Sequence, residues 1–423
     1  MTDASRRGFI ASAGAVVGAL GTGRAFAAGQ AALPGGAPAG RSVSLHGAHQ
    51  NGIATPTPMQ GHTCFAALDI AATSRRAIVD VLQAWTVAAG RMAQGRTAAP
   101  PSGALADAEP DSWDALGLEA ARLTATFGFG PDLFLLDGKD RFGLAARRPA
   151  ALVDLPVFPG DQLLPAYTGG ALSIQACADD PQVAFHAVRE LVRLGKDAVV
   201  VRWMQTGYST ANRVAGTPRN LMGFKDGTIN PSSADPASMS GFVWVGAEGP
   251  GWMQGGSYAV FRRIRIALQH WDQMPRGFQE QTIGRHKLSG APLGCAHEHD
   301  PLDLDAADKD GAPLIPATAH ARLAAPQENG GAQILRRSYG YSDGASFTAE
   351  RWPPWKQAME YDAGLMFIAY QRDPRTGFVR MFEKLSRLDA LNQFTTHVGS
   401  AIFACPGGIG EGRYIGQSLF EPA

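Results

Sequence analysis

The stretch Met222-Gly-Phe-Lys-Asp-Gly-Thr-Ile-Asn230 lies between two halves of the chain that share one order of predicted strands and helices. It holds Asp226 between Gly223 and Gly227, so the backbone beside this carboxylate can approach a ligand closely. Asp-Gly pairs most often close a turn, and the spacing alone leaves a plain turn and a binding site both open. The junction favours a site, because ligand pockets often form between domains.

The half before this stretch alternates predicted strands with predicted helices. The helix at 71–92 carries apolar residues at helical spacing, and the helix at 181–194 begins with a proline. Strands are predicted at 64–70, 172–177 and 198–204. Long segments at 98–110 and before residue 57 are rich in Ala, Pro and Gly, which indicates loops.

The half after the stretch repeats this pattern. Its predicted strands are 257–268, 364–370 and 401–405, of which the first has alternating character. Its predicted helices are 272–284 and 382–394. Two similar halves imply a duplicated α+β unit. We therefore expect domains at 57–221 and 222–423.

Composition narrows the kind of partner. The 423 residues have a formal net charge of +0 and are 45% hydrophobic, which indicates a globular chain and excludes a strongly basic nucleic-acid or membrane-surface binder. The four cysteines form no CxxC pair, and no CxxCH is present. The sequence therefore gives no zinc ribbon and no covalent haem attachment.

The first residues are typical of an export signal. Ser5-Arg6-Arg7 is followed by an apolar stretch rich in Ala and Gly, and Ala25-Phe26-Ala27 offers a cleavage site. Arg24 interrupts the stretch, which is too weakly apolar for a membrane anchor. We predict a twin-arginine signal at 1–27, a flexible leader at 28–56, no stable membrane span, and a periplasmic or secreted protein.

Two further residues favour a binding site at Asp226. His320 lies in Thr318-Ala-His-Ala-Arg322, and Arg336 lies in Ile334-Leu-Arg-Arg-Ser338. Asp, His and Arg are the residue types that a haem peroxidase requires. Any single histidine is most often a satisfied core or surface residue.

From His49 to Gly407 the chain resembles the dye-decolourising peroxidases, in particular their exported EfeB-type deferrochelatase/peroxidase branch. The resemblance rests on these stretches: Thr126-Phe-Gly-Phe-Gly130, Phe158-Pro-Gly-Asp161, Ala178-Asp-Asp-Pro181, Met222 to Asn230, Gly290-Ala-Pro-Leu-Gly294, Glu298-His-Asp300 and Tyr370-Gln-Arg-Asp373. It implies an α+β fold of two ferredoxin-like domains arranged like a dimeric α+β barrel, with antiparallel sheets and helices packed outside. It also implies noncovalent haem b, held mainly by the second domain.

The resemblance assigns roles to particular residues. It makes His320 the proximal iron ligand and puts Asp226 and Arg336 on the peroxide side of the haem. Asp389 matches an acidic position that hydrogen-bonds the proximal histidine, although an exposed helix carboxylate is the commoner meaning of such a residue. The other haem contacts that it implies are Arg322, Gly227, Thr228, Leu365 and Phe367.

Alternatives remain open for several of these residues. Arg337 competes with Arg336, and only one can face the iron because adjacent strand residues point to opposite faces. Leu365 and Phe367 share one face of a predicted strand, where ordinary core packing is the simpler meaning. His297 and His299 suggest a metal site but have no further ligands at useful spacing, and His397 matches no family requirement. The chain departs from the family at Ala325, Gln327 and Ser338.

The resemblance implies a peroxidase that reduces hydrogen peroxide and oxidises organic donors. The alternative is a haem-binding or iron-release protein, a deferrochelatase, with partner proteins in iron uptake. A proton-relaying carboxylate favours the peroxidase, because a carrier has no need of one. Relatives often form homodimers. Candidate residues for electron transfer from the surface are Trp271, Trp352, Trp355 and Tyr339.

Overall fold

The computed structural model describes residues 41–100, 111–349 and 357–421. Its strands are β1 (His62–Ile70), β2 (Thr124–Phe129), β3 (Leu172–Ala178), β4 (Val199–Tyr208), β5 (Ser257–Ile266), β6 (Leu335–Arg336), β7 (Tyr339–Ala349), β8 (Gln357–Gln371) and β9 (Thr395–Cys405). Its α-helices are α1 (Arg75–Met92), α2 (Pro131–Phe134), α3 (Pro181–Leu194), α4 (Pro236–Phe242), α5 (Leu268–Asp272), α6 (Arg276–Ile283), α7 (His320–Leu323), α8 (Arg380–Leu388) and α9 (Gln417–Phe420).

The strands form one closed antiparallel sheet. Their order is β5-β9-β2-β3-β1-β4-β7-β8, and β8 pairs back with β5 to complete the ring, while the short β6 also pairs with β8. The first half contributes the order β2-β3-β1-β4, and the second repeats it as β7-β8-β5-β9. This duplicated α+β arrangement is the expected barrel of two ferredoxin-like units.

Strands β1, β2 and β3 are buried at nearly all of their residues, whereas β4 alternates between buried and exposed residues. In β1, Phe65 and Ala67 pack inside the barrel, whereas Ala66 and Leu68 pack under the helices α1 and α3. In β5, the residues from Ser257 to Arg263 are all buried. Side chains of successive β5 residues point to opposite faces, and both faces are buried from Ser257 to Arg263, so the alternation does not separate a buried face from an exposed one there.

Local signals explain where the predicted helices begin. Helix α3 matches its predicted bounds, because Asp180 accepts hydrogen bonds from the backbone N–H groups of Gln182 and Val183 at 2.7 and 3.1 Å. The helix predicted at 272–284 is instead divided at Pro275, with α5 before it and α6 after it. Gly284 ends α6 in the left-handed region, with φ +86°.

Several predicted segments differ from the structure or lie outside its described part. The leader predicted at 28–56 is packed where described, because Gln50 donates to the carbonyls of Phe127 and Pro406 at 3.0 Å each. The signal at 1–27, most of the loop at 98–110, Trp352 and Trp355 lie outside the described residues. Within the described part, no helix has the length and apolar character needed to cross a membrane.

Candidate active site

A cavity of about 230 Å³ opens in the second half of the chain. This volume is far above the ~10–15 Å³ that one water molecule needs. Its walls are mainly apolar, with side chains from strands and helices of that half, and they include Ile264, Ile266, Ile283, Leu365, Phe367 and Met381. Asp226, His320, Arg336 and Asp389 also line it. The structure thus brings four of the predicted site residues to one apolar pocket.

Asp226 lies at the base of a tight hairpin. Its backbone N–H donates to the carbonyl of Pro218 at 2.9 Å, and Gly223 and Gly227 both adopt positive φ, at +85° and +113°. Left-handed backbone favours glycine at both positions. The turn and the site are therefore compatible at Asp226, because the turn is what holds its carboxylate at the cavity wall.

The two adjacent arginines point in opposite directions. Arg336 lines the cavity, whereas the Arg337 guanidinium is buried and donates to Gln60 Oε1 at 2.6 Å. Pairing with β8 sets this difference, because Arg336 lies opposite Ala369 in the register of β6. Arg336 is the arginine of the pair that the structure brings to the cavity.

Asp226 and Arg336 form an ion pair in which Arg336 Nη1 lies 3.1 Å from Asp226 Oδ1. A carboxylate and a guanidinium therefore meet at one point of the cavity wall.

His320 is the first residue of α7, and it is oriented by a second carboxylate. Its Nδ1 lies 2.6 Å from Asp389 Oδ2. In the neutral ring, a hydrogen bond from Nδ1 to this carboxylate leaves the lone pair on Nε2. Burial opposes the charged imidazole, but the Asp389 carboxylate outweighs burial and raises the pKa of His320 above its ordinary value.

Asp389 reaches His320 because α8 ends early. The predicted helix through residue 394 stops at Leu388, where Asp389 turns to extended backbone. Its side chain caps the following turn by accepting from the Leu391 N–H at 2.8 Å. The carboxylate is almost fully buried, with 4% of the side chain exposed. The simpler meaning, an exposed helix carboxylate, does not apply.

The remaining predicted contacts divide into two groups. Gly227, Thr228, Leu365 and Phe367 line the cavity, and Thr228 Oγ1 donates to Glu298 Oε1 at 3.0 Å. Arg322 is directed elsewhere, since its Nη1 donates to the carbonyl of Leu304 at 2.7 Å. The structure does not bring Arg322 to the cavity.

Three residues near the cavity carried no role in the sequence interpretation. Asn230 contacts Arg336, Glu298 contacts Thr228 and Lys225, and His397 lines the wall. Asn230 ends the stretch Met222 to Asn230, four residues after Asp226, and this position in the sequence was the signal that could have placed it at the site. Glu298 likewise lay in the stretch Glu298-His-Asp300, which carried the resemblance, whereas for His397 no local pattern distinguishes a site from a surface position.

The histidines once considered for a metal lie apart from this cavity. Among the described residues, a metal-like grouping occurs at Asp111, His186 and Glu190. Its carboxylates are already satisfied: Asp111 accepts from the Ala98 N–H at 2.7 Å, and Glu190 accepts from Arg193 and from the Ser112 N–H at 3.0 Å. This grouping is a hydrogen-bonded brace between α3 and the segment before β2.

Known proteins match the chain over nearly its full length. Family models described as Dyp-type peroxidase, N-terminal and C-terminal, match residues 50–209 and 217–410. The chain is 39% identical to a dye-decolorizing peroxidase of Thermobifida fusca, covering 99% of this chain and 97% of that protein. It is 34% identical to a deferrochelatase of Yersinia pestis, covering 99% and 95%.

Solved structures agree with these matches. A crystal structure of a DyP-type peroxidase from Streptomyces coelicolor superimposes with a TM-score of 0.80 at 39% identity, covering 91% of this chain and 98% of that one. Ferric DtpA from Streptomyces lividans gives the same TM-score of 0.80 and identity of 39%. Matching models for both halves, relatives above a third identical, and the shared barrel lead to one conclusion: this chain belongs to the Dyp-type peroxidase family.

Proposed function

We propose that this peroxidase binds haem b with His320 as the iron ligand and uses Asp226 and Arg336 on the peroxide side. One observation carries the proposal: a carboxylate-oriented histidine and an Asp–Arg ion pair line the same apolar cavity. Haem in this role agrees with the family and with relatives described as ferric and oxyferrous complexes.

The residues present fit a haem. His320 offers the lone pair of Nε2, because Nδ1 is committed to Asp389. Apolar side chains such as Ile264, Ile283 and Phe367 suit the faces and edges of a porphyrin. We propose Gly227, Thr228, Leu365 and Phe367 as further contacts. Arg322 is left out of this set because its guanidinium is bonded to the carbonyl of Leu304.

Bound haem supplies the redox chemistry of peroxide reduction. The chain supplies proton transfer and charge. Asp226 accepts the proton that hydrogen peroxide gives up and returns it to the departing oxygen, so water leaves instead of hydroxide. Arg336 stabilises the negative charge that builds on that oxygen. Asp389 accepts a hydrogen bond from the His320 N–H, which makes the imidazole a stronger electron donor.

Rapid mixing of the haem-loaded protein with one equivalent of hydrogen peroxide tests this assignment. The haem absorption band reports the rate, and we expect Asp226→Ala and Arg336→Leu each to slow the change on the order of 100-fold. A matched control is the exposed ion pair of α1, in which Arg76 Nε lies 2.8 Å from Asp80 Oδ1.

The control variants Arg76→Leu and Asp80→Ala should react like the wild type. Unchanged rates in both cavity variants would remove Asp226 and Arg336 from the mechanism. A separate variant, His320→Ala, should lose the haem or its five-coordinate spectrum. Retention of that spectrum would exclude His320 as the ligand.

Iron release from haem is the second candidate activity, because relatives that are 34% identical are named deferrochelatases. The fluorescence of metal-free porphyrin measures it directly after incubation of the haem-loaded protein. The Asp–Arg ion pair favours peroxidase as the main activity. Porphyrin release that persists in Asp226→Ala at the wild-type rate would assign the second activity to other residues.

We also propose that residues 1–27 direct export by the twin-arginine pathway, to the periplasm or the medium. The adjacent Arg6 and Arg7 support it. Replacing both with lysine should leave the protein inside the cell, as measured by fractionation. The division into domains at 57–221 and 222–423 is likewise a proposal, supported by the repeated strand order. We further propose that the protein oxidises organic donors, that it has partner proteins in iron uptake, and that it forms a homodimer.

A further inference from the structure

Asn230 contacts Arg336 in a way that resembles a neighbouring strand. The Asn230 amide donates from Nδ2 to the Arg336 carbonyl at 2.7 Å, and its Oδ1 accepts from the Arg336 N–H at 3.2 Å. A single side chain thus engages both polar groups of one residue's backbone. These groups point away from β8, with which β6 pairs on its other side.

The same amide oxygen also reaches the Arg336 side chain. Arg336 Nε donates to Asn230 Oδ1 over 3.4 Å, a weak contact, while Nη1 lies 3.1 Å from Asp226. The guanidinium is therefore held at two points by residues of one loop. The backbone bonds fix the base of the side chain, and the contacts at Nε and Nη1 fix its direction.

Arg336 needs this support because the ion pair alone is weak. The side chains of Arg336 and Asp226 are 28% and 24% exposed, and partly hydrated pairs of long side chains gain little net free energy. Asn230 is tied to Asp226 through a short turn in which its own N–H donates to the carbonyl of Gly227 at 3.0 Å. The turn therefore connects both members of the pair.

We propose that Asn230 is a positioning residue that holds Arg336 at the cavity wall, so that Asp226 and Arg336 keep a fixed mutual arrangement. This inference rests on the proposed function for its effect on catalysis. The structural part, that Asn230 restrains Arg336, does not depend on haem or on peroxide. The two parts call for separate measurements.

The first measurement uses the haem-free protein. Phenylglyoxal modifies accessible guanidinium groups, and mass spectrometry of the peptide containing Arg336 reports its rate of modification. We expect faster modification of Arg336 in Asn230→Ala than in the wild type. Asn230→Asp keeps the acceptor oxygen for the N–H groups of Arg336 but loses the donor to its carbonyl, so its rate should lie between those of the wild type and Asn230→Ala. Equal rates in the wild type and Asn230→Ala would overturn the proposal.

The second measurement is the rate constant for hydrogen peroxide in the haem-loaded protein. Asn230→Ala should lower it roughly tenfold, the value of a hydrogen bond to a charged group. In an Arg336→Leu background the same change should have no further effect, because Asn230 acts through the guanidinium. A loss that multiplies in that background would show a general structural role and overturn the proposal.

Control variants distinguish the restraint of Arg336 by Asn230 from its effect on catalysis. Asn212→Ala removes another asparagine that bonds a carboxylate, Asp179 at 2.8 Å, and should leave both measurements unchanged. Should Asn230→Ala yield no folded protein, Asn230→Ser enters the same comparisons. If Arg336→Leu alone leaves the peroxide rate unchanged, the proposed function fails, whereas the modification experiment still decides whether Asn230 restrains Arg336.

Discussion

At the scale of single residues, the adjacent Arg336 and Arg337 make different contacts. Arg336 faces the cavity, and Arg337 is buried against Gln60 and the carbonyl of Pro56. A strand separates their side chains by direction, although both carry the same charge and chemistry. Substitutions at the two positions should therefore affect different properties of the protein.

We predict that Arg337→Met lowers stability and leaves the peroxide reaction of each bound haem nearly unchanged. The variant removes a buried donor and leaves Gln60 Oε1 without it, at a cost of about 1–3 kcal/mol. Thermal unfolding measures the first effect, and rapid mixing measures the second. If Arg337→Met slowed the reaction as much as Arg336→Leu, Arg337 would not be a purely structural residue.

We also predict that Asp389→Asn raises the reduction potential of the bound haem. The amide removes the negative charge beside His320 Nδ1, so the imidazole donates less to iron and the lower oxidation state is favoured. A potentiometric titration measures the change. The exposed variant Asp80→Asn is the control, and equal potentials in all three proteins would show that Asp389 does not tune the ligand.

The sequence predicted the principal side chains that the structure brings to the cavity, but not all of the residues that support them. His320, Asp226 and Arg336 stand in motifs that can be read locally. Asn230 and Glu298 act through contacts between distant segments, and no periodicity reports such contacts. Arg322 was instead predicted at the site but lies away from it. It stands two positions after His320 and looks like part of the motif, yet its side chain points away from the cavity.

At the scale of elements, Glu298 braces the loop that carries Asp226. It forms an ion pair with Lys225 and accepts from Thr228 at 3.0 Å, so it holds the loop on both sides of Asp226. Burial of Glu298 opposes its ionisation, but these hydrogen bonds outweigh burial and lower its pKa to about 2.

We predict that Glu298→Gln speeds hydrogen exchange of the backbone amides in 218–230, measured by mass spectrometry near pH 7. A group with a lowered folded pKa stabilises the protein above its unfolded value of 4.5, and this contribution is lost as the pH falls toward about 2. The difference between wild type and variant should therefore shrink on acidification. A difference that is absent at neutral pH would exclude the brace.

The brace on α3 should respond to pH in the opposite direction. Burial opposes the charged form of His186, but Asp111 and Asp114 outweigh it and raise its pKa above 6.5. A raised folded pKa contributes stability that is full below 6.5 and lost as the pH rises through the folded value. The pKa of Asp111 is about 2, so acid removes its part only well below pH 4.

We therefore predict that His186→Gln lowers the free energy of unfolding most near pH 5 and least near pH 9. Denaturant titrations at the two values measure the difference. His46→Gln is an exposed control whose effect should be small at both. An equal loss at pH 5 and pH 9 would mean that His186 is not charged in the folded protein.

The elements themselves were predictable where the pattern was strong. Helix α3 has a capping Asp180, a proline at its first position and a clear apolar face, and its bounds were right. Strand β2 was missed because it is short and contains Gly128, which weakens the strand pattern, although all six of its residues are buried. The hairpin of β7 and β8 depends on pairing between strands, which a local pattern does not encode.

At the scale of the whole molecule, the two halves share one interior and are joined around the ring by two short strand pairings. Between the halves, β2 pairs with β9 at Phe129 and Ala404, and β4 pairs with β7 at Tyr208 and Gly340. The side chains inside the barrel come from both halves, among them Phe65, Trp203, Phe261 and Phe403. Ring contacts join them: Phe65 and Phe261 are stacked with their centres 5.0 Å apart, and Trp203 and Phe261 are tilted with their centres 4.6 Å apart.

We predict that urea unfolds the protein in one transition, with coincident curves from tryptophan fluorescence and far-ultraviolet circular dichroism. Neither half can retain its inner face without the other, since that face would meet water. Phe261→Ala, at the shared interior, should shift both curves together. Two separated transitions would show that the halves fold independently.

The closed ring has a consequence for how this chain tolerates insertions and deletions. Arg336 faces the cavity only because β6 lies in one register on β8, with Leu335 opposite Tyr370. A slip by one residue would exchange the faces of the two arginines, exposing Arg337 to the cavity and burying Arg336. A slip by two would restore the alternation but would put Ile334 or Ser338 opposite Ala369, so Arg336 would still leave its place beside Asp226. Length changes in the segment before β6 should therefore be accepted only where the loop absorbs them without moving β6 along β8, which laboratory selection can reveal.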